Sequence, residues 1–208
     1  MKRIYLAFLL LSVISCEDRL SIKDCQEIIK GKPAGQQVKD SELSTIISLF
    51  RFNGLSYDNL LFTQLQTDEL GHRHVDCIQY VNDLVLFTEH MNFHFDRMGK
   101  FYFRMGDVIS GIEMNTEPEL DMDEVRTVFF DNVKKDNFYG SSLEEIKKSC
   151  LHCELGYYDL NAGTSYAPHK FVLAWKIVPA SNGYPMAYIN DTDGSVIYYF
   201  NGIYTDRF

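Results

Sequence analysis

Apolar and polar positions along the chain alternate between a helical period and a strand period. In DSELSTIISLF (40–50) the apolar residues Leu43, Ile46, Ile47 and Phe50 stand at i, i+3, i+4 and i+7 behind an acidic start, which predicts an amphipathic helix. The stretch from Asn53 to Asp68 shows neither period clearly. From His72 the period shortens to two. HVDCIQYV (74–81), the pair Asn82-Asp83, LVLFTEHMNFHFD (84–96), the turn Arg97-Met98-Gly99 and KFYFRM (100–105) read as an antiparallel meander of three or four strands. After the bridge NTEPEL (115–120), DMDEVRTVFFDNVKK (121–135) predicts a second helix. Asp121 caps it, Glu124 follows three residues on, and Val125, Val128, Phe129 and Val133 share one face. SSLEEIKKS (141–149) predicts a short third helix. Four strand-like runs follow, at 154–161, 170–178, 184–190 and 195–202, the last two joined by the turn Asp191-Thr192-Asp193-Gly194.

The first residues follow another pattern. Lys2 and Arg3 precede an apolar run from Ile4 to Ile14, then Ser15 and Cys16. That layout is a secretory signal, shorter than the about 20 residues that cross a bilayer. Cys16 directly after Val13-Ile14-Ser15 resembles the lipobox of bacterial lipoproteins, with Val13 where Leu is commonest. The resemblance implies a signal peptide over 1–15, a lipid on Cys16, and a membrane anchorage in the bacterial cell envelope, on its periplasmic or cell-surface side. Residues 16–39 then read as a tether, with Gly and Pro punctuation in GKPAGQQ (31–37) and room for a short helix between Ile22 and Lys30.

Composition narrows the function classes. The sequence holds 20 Lys+Arg against 29 Asp+Glu, a net charge of −9 that becomes −11 once Lys2 and Arg3 leave with the signal. This argues against a nucleic-acid partner, which needs a basic face, and against polybasic docking on anionic lipid. A hydrophobic content of 46% excludes disorder as the main state. With Cys16 assigned to the anchor, Cys25, Cys77, Cys150 and Cys153 remain as candidates for disulfides, with three pairings open. Cys150 and Cys153 form a C-x-x-C at the wrong end of a helix for a thioredoxin-type site, and no second C-x-x-C completes a zinc site.

The two strand blocks echo each other at an offset of 95 residues: His74 with His169, Asp96 with Asp191 and Gly99 with Gly194. The first block, His74 to Leu86 with the later D-x-x-G, resembles the FTP (fungalysin/thermolysin propeptide) motif at His74, Gln79, Asn82, Asp96 and Gly99. It departs at Asp83 and Val85, where that motif prefers Gly and Pro. The second block resembles the PepSY domain at Leu173-Ala174-Trp175-Lys176-Ile177 and through Asp191 to Gly194, with Asp193 where Thr is common. In thermolysin-like proteases such domains form a propeptide that chaperones and inhibits the catalytic domain. The resemblance implies an α+β fold (PepSY/cystatin-like) of two related units, each a helix packed on an antiparallel sheet, at 40–112 (FTP-like) and 113–208 (PepSY-like).

Catalytic signatures are missing from the sequence: there is no H-E-x-x-H, G-x-S-x-G, G-x-x-x-x-G-K-[ST] or G-x-G-x-x-G. The expectation is a free-standing, non-enzymatic, propeptide-like module without cofactor or metal, which binds a protein or peptide and modulates an envelope protease. Two other classes compete with it. One is an immunity-type or adhesion lipoprotein whose acidic face meets a basic partner. The other is a metal-binding module built on His72, His74, His90 and His94, or on Cys150 and Cys153.

Overall fold

A computed structural model describes residues 26–29, 36–136, 143–164, 167–181 and 183–203. Along the chain the elements are β1 (Gln26–Ile29), α1 (Asp40–Phe52), β2 (Leu60–Thr67), β3 (Arg73–Val81), β4 (Leu84–Phe95), β5 (Phe101–Met105), α2 (Met122–Lys135), α3 (Leu143–Lys148), β6 (Leu151–Asp159), β7 (Phe171–Pro179), β8 (Met186–Asn190) and β9 (Val196–Phe200). The signal peptide and Cys16 lie outside the described residues, as does Cys25.

The expected pair of α+β units is not what forms. The fold is mostly β, with about twice as many residues in strands as in three short helices. Among the described residues, nine strands form one mixed sheet in the order β2-β3-β4-β6-β7-β8-β9, with β1 beside β6 and β5 beside β4. The cause is a parallel pairing of β4 with β6, Val85↔Gly156 and Leu86↔Tyr157, which joins the two strand blocks edge to edge. Between Ile22 and Lys30, the expected short helix is replaced at Gln26–Ile29 by β1, parallel to β6 in the register Gln26↔Leu151.

Local chemistry explains where elements start and turn. The Asp121 carboxylate accepts the Glu124 N–H at 2.9 Å while the Glu124 carboxylate accepts the Asp121 N–H at 2.9 Å, a reciprocal cap on α2. Asn82 and Asp83 both have positive φ (51° and 62°), as a two-residue type I′ hairpin between right-twisted strands requires. β2 hid from the sequence pattern because its first residues are buried on both faces. Leu60 and Phe62 join the core under α1, Leu61 joins a small cluster with Tyr80 and Val85, and a bulge between Phe62 and Gln64 breaks the alternation.

Two larger cores lie on the sheet. Ile46, Leu49 and Phe50 of α1 pack on β2–β4, where the Phe50 ring sits 4.8 Å from Phe93 and 5.2 Å from Phe62. Val125, Phe129 and Val133 of α2, with Ile146 of α3, pack on Leu155, Trp175, Ile177 and Ile189 of β6–β8.

The β4–β6 contact is close enough to require glycine. A Cβ on Gly156 would lie 2.6 Å from both Val85 Cγ1 and the Val85 carbonyl oxygen, and 2.8 Å from the Phe87 ring. Gly156→Ala should therefore destabilise the fold by about 2–3 kcal/mol through overpacking, whereas Gly111→Ala, whose Cβ meets nothing within 4 Å, should change stability by less than about 0.5 kcal/mol. Urea denaturation of the two variants against the parent checks both values.

Candidate functional site

The residues that carry the family resemblance do not converge on a site. They are fasteners. Gln79, buried at the end of β3, makes both side-chain hydrogen bonds to the backbone of Ile109: it donates to the carbonyl and accepts the N–H at 3.1 Å. Asn82 donates to the Ile112 carbonyl at 2.9 Å and to the Tyr157 hydroxyl at 3.2 Å. Asp191, 1% exposed, accepts the Trp175 indole N–H at 2.8 Å and the backbone N–H groups of Glu119 (2.7 Å) and Leu120 (3.2 Å). Together these pin the segment 106–120 as a strap from the β3–β4 turn to the β8–β9 turn. Asp96 accepts the N–H of Met98 and of Lys100, both at 2.8 Å, closing the β4–β5 turn with Gly99 at φ 82°. Gly194, at φ 68°, does the same work in the β8–β9 turn.

The four strand histidines are only partly brought together. His74 and His94 face each other across β3 and β4, with their Nδ1 atoms 2.7 Å apart. Asp68 lies 3.4 Å from both His72 Nδ1 and His74 Nε2. His90 stands apart on the exposed side of β4. Burial pushes the His94 imidazole below its ordinary value, the neighbouring His74 adds to the effect, and the Asp76 carboxylate opposes it. Its Nε2 is buried without a hydrogen-bond partner.

The cysteines divide. Cys77 and Cys153 are free, buried thiols, so neither takes part in the disulfides considered for them. Burial raises their pKa values to about 12 and about 11, which makes them inert core residues. Cys150, just before β6, is not among the free cysteines.

Two features with chemical potential sit where β4 and β6 part. The first is a polar crevice of about 740 Å³. β6 ends at Asp159, whose N–H donates to Thr88 Oγ1 at 3.2 Å, while β4 runs on to pair with β5. The crevice opens in the gap, between Thr88–His90 on β4, Gly106-Asp107 and the β6–β7 turn. Within it, His169 Nδ1 lies 2.8 Å from Asp159 Oδ2 and 3.9 Å from Glu89 Oε1, and His169 Nε2 lies 3.7 Å from Asp107 Oδ2. The Asp159 hydrogen bond lifts His169 above its ordinary pKa against the opposing effect of burial. Burial alone would raise Asp159, but the bonds from His169 and from the Lys170 and Asn161 N–H groups outweigh it and hold that carboxyl below its usual value. Glu89 is raised, chiefly by burial, with Asp159 and Asp107 adding to the effect. Three carboxylates about one imidazole suit acid–base work or a bound cation.

The second feature is β5 itself. Among the described residues it pairs only with β4, so its outer edge carries no strand. Tyr102, Phe103 and Met105 are each more than half exposed. A bulge at Tyr102, between the pairs His94↔Phe103 and Phe95↔Phe101, puts successive aromatic rings beside His94.

Sequence reasoning missed Glu89, Asp107 and Asp159, and met His169 only in the repeat. Asp159 and His169 stand near the ends of two predicted strands, so a hairpin between them was a usable signal. Glu89 joins them only through the parallel β4–β6 pairing, for which the sequence carries no period.

No protein family and no curated protein matches the sequence. Among solved structures the chain is similar to the Bacillus megaterium YpeB C-terminal domain, with 8% identity and a TM-score of 0.39, over 83% of this chain and 68% of that one. A TM-score of that size does not establish a shared fold.

The half-buried His94 gives a signed pH dependence. Its folded pKa is depressed, so its stabilising contribution is complete above the ordinary histidine value of 6.5 and is lost as pH falls from there through the lower folded value. His94→Phe should therefore flatten the fall in Tm between pH 7.5 and pH 5, read by thermal melts at both values.

Proposed function

We propose that this protein is a non-enzymatic, propeptide-like module of the FTP/PepSY kind, held at the bacterial envelope by a lipid on Cys16, and that it binds an extended segment of a partner protein along β5. The unpaired outer edge of β5 carries the reading. An open edge offers a row of backbone N–H and C=O groups that a partner strand can satisfy, and natural sheets ordinarily blunt such edges. Here the edge carries Tyr102, Phe103 and Met105, large side chains that add apolar contact to a docked strand. The net charge of −9 favours a neutral or basic segment over an acidic one. The motif residues of the resemblance support the propeptide-like part of the reading, and an envelope protease is the partner class that resemblance favours.

The tether belongs to the same reading. Cys77 and Cys153 are free, which leaves Cys25 and Cys150 of the four candidates, and β1, which follows Cys25 in the sequence, runs parallel to β6 with Gln26 opposite Leu151. We therefore include a Cys25–Cys150 disulfide, which ties the start of the fold to β6 and fits an oxidising envelope compartment.

Two measurements test these points. A photo-crosslinking residue at position 103 of the full chain in envelope extract should give crosslinks to one contiguous partner segment. The β5 amides should then exchange more slowly on binding. The double change Tyr102→Asp and Phe103→Asp should abolish both effects while leaving thermal melting unchanged within a few degrees; capture that survives that change defeats the edge assignment. Alkylation of the denatured, unreduced chain should label Cys77 and Cys153 and spare Cys25 and Cys150 until a reductant is added.

A further inference from the structure

We propose that Glu89, Asp159 and His169 form a binding site for one divalent transition-metal ion of the zinc type, on the floor and wall of the crevice. This rests on side-chain geometry that is independent of what docks on β5. The three residues come from β4, from the end of β6 and from the approach to β7, and they offer one donor atom each within 4.8 Å of one another. Donors about 2.0–2.2 Å from a zinc ion stand about 3–3.5 Å apart, so the set closes on an ion with side-chain shifts of about 1 Å.

Each donor is already held by something else. Asp159 uses Oδ1 for the N–H groups of Asn161 (2.9 Å) and Lys170 (2.8 Å), which leaves Oδ2 aimed at His169 and the crevice. A backbone N–H bond from Asp107 acts on the Glu89 carboxylate. The His169 ring stacks on Phe171 at 5.3 Å with the planes 15° apart, and its Nε2 faces the Asp107 carboxylate. With Nδ1 as the ligand and Nε2–H directed to Asp107, the ring acquires the carboxylate–histidine–metal arrangement that fixes a liganding imidazole. Such outward support is what separates a built site from a chance gathering of acidic groups.

The donor chemistry selects the ion class. One imidazole with two carboxylates is mixed N/O: it has no sulfur for a thiolate-selecting metal, and its nitrogen sets it apart from the all-oxygen shells of calcium and magnesium. Binding displaces the proton from His169 Nδ1. From the His169 imidazolium, the Nδ1 proton shared with Asp159 leaves to solvent while Nε2–H is kept; from the neutral ring, the proton moves from Nδ1 to Nε2 and none is released; in both cases a metal–nitrogen bond forms at Nδ1 and no electron is transferred. Three protein ligands leave a coordination position open toward the crevice for water or a donor from a partner. The facing pair His74 and His94 is the rival location. Those rings spend their Nδ1 atoms on each other at 2.7 Å, and a metal between them would break that contact.

Calorimetry of the full chain in detergent, freed of metal with a chelator and titrated with zinc chloride or with calcium chloride, tests the assignment. The expected result is one zinc per chain and weaker or no binding of calcium. Glu89→Gln and His169→Ala should each weaken zinc binding tenfold or more, while His94→Ala leaves it unchanged. No stoichiometric zinc, unchanged affinity in both crevice variants, or loss of zinc in His94→Ala alone would overturn the site, and preference for calcium would overturn the ion class. Should a variant fail to fold, the visible spectrum of the cobalt-substituted parent chain decides. Bands of nitrogen–oxygen coordination support the site, and a thiolate charge-transfer band refutes it.

Discussion

The fold depends on a contact two residues long. Val85 and Leu86 meet Gly156 and Tyr157 in parallel register, and among the described residues no other strand pairing joins the block β2–β5 to the block β6–β9 as one sheet. Parallel pairing cannot be closed by a hairpin; it needs a long crossover, and here the chain from 96 to 150 supplies it. The approach at that point is too close for any side chain on Gly156, which turns a single glycine into a condition for the whole architecture. A short junction between two well-packed blocks also sets where the sheet is weakest. On either side of it lie separate cores, one under α1 and one under α2 and α3.

Polar groups reinforce what the backbone pairing leaves thin. The strap 106–120 crosses between the blocks, and it is irregular backbone, so its N–H and C=O groups need partners when they are covered. Gln79, Asn82 and Asp191 provide them from buried or half-buried positions. Asp191 is the most constrained of the three. Its carboxylate is almost fully enclosed, a state tolerated only because three donors converge on it. Removing that carboxylate leaves an indole N–H and two backbone N–H groups unsatisfied at once, while Leu120 at the end of the strap loses its fixed position on the main core. The motif residues that suggested a shared function thus serve architecture.

How much of this could be read from the sequence depends on how local each signal is. α1 and α2 are written in four apolar positions each, and the cap of α2 in Asp121 and Glu124, three residues apart. The hairpins at Asn82-Asp83 and at Asp191 to Gly194 are written in turn residues that tolerate positive φ. All of these are encoded within about ten residues, and all of them form. β1 and β2 are not visible in the same way. β1 is four residues long and draws its stability from β6 more than a hundred residues away, and β2 is covered on both faces at its start. The two-unit fold fails for the same reason: similarity between blocks is a sequence property, while the edge at which they join is a property of the assembled sheet.

The crevice and the open edge follow from that join as one geometric consequence. β4 is twelve residues long, and β6 accompanies it only at its start. Past Asp159 the neighbour of β4 changes from β6 to β5, and two strands that take turns on one side of a third must leave a gap where one stops and the other begins. Polar side chains gather in that gap: Thr88 Oγ1 accepts the Asp159 N–H, and Glu89 and Asp159 come together with His169. The same change of neighbour leaves β5, among the described residues, with no strand on its far side, and its aromatic residues face solvent beside the gap. A ligand in the crevice would stiffen the point at which the sheet divides, next to the edge a partner strand would use. Ordering the crevice and ordering β5 act on the same stretch of β4, so an energetic link between the two would run through Thr88 to Phe95 and through Gly106-Asp107, which carry the chain from β5 into the crevice.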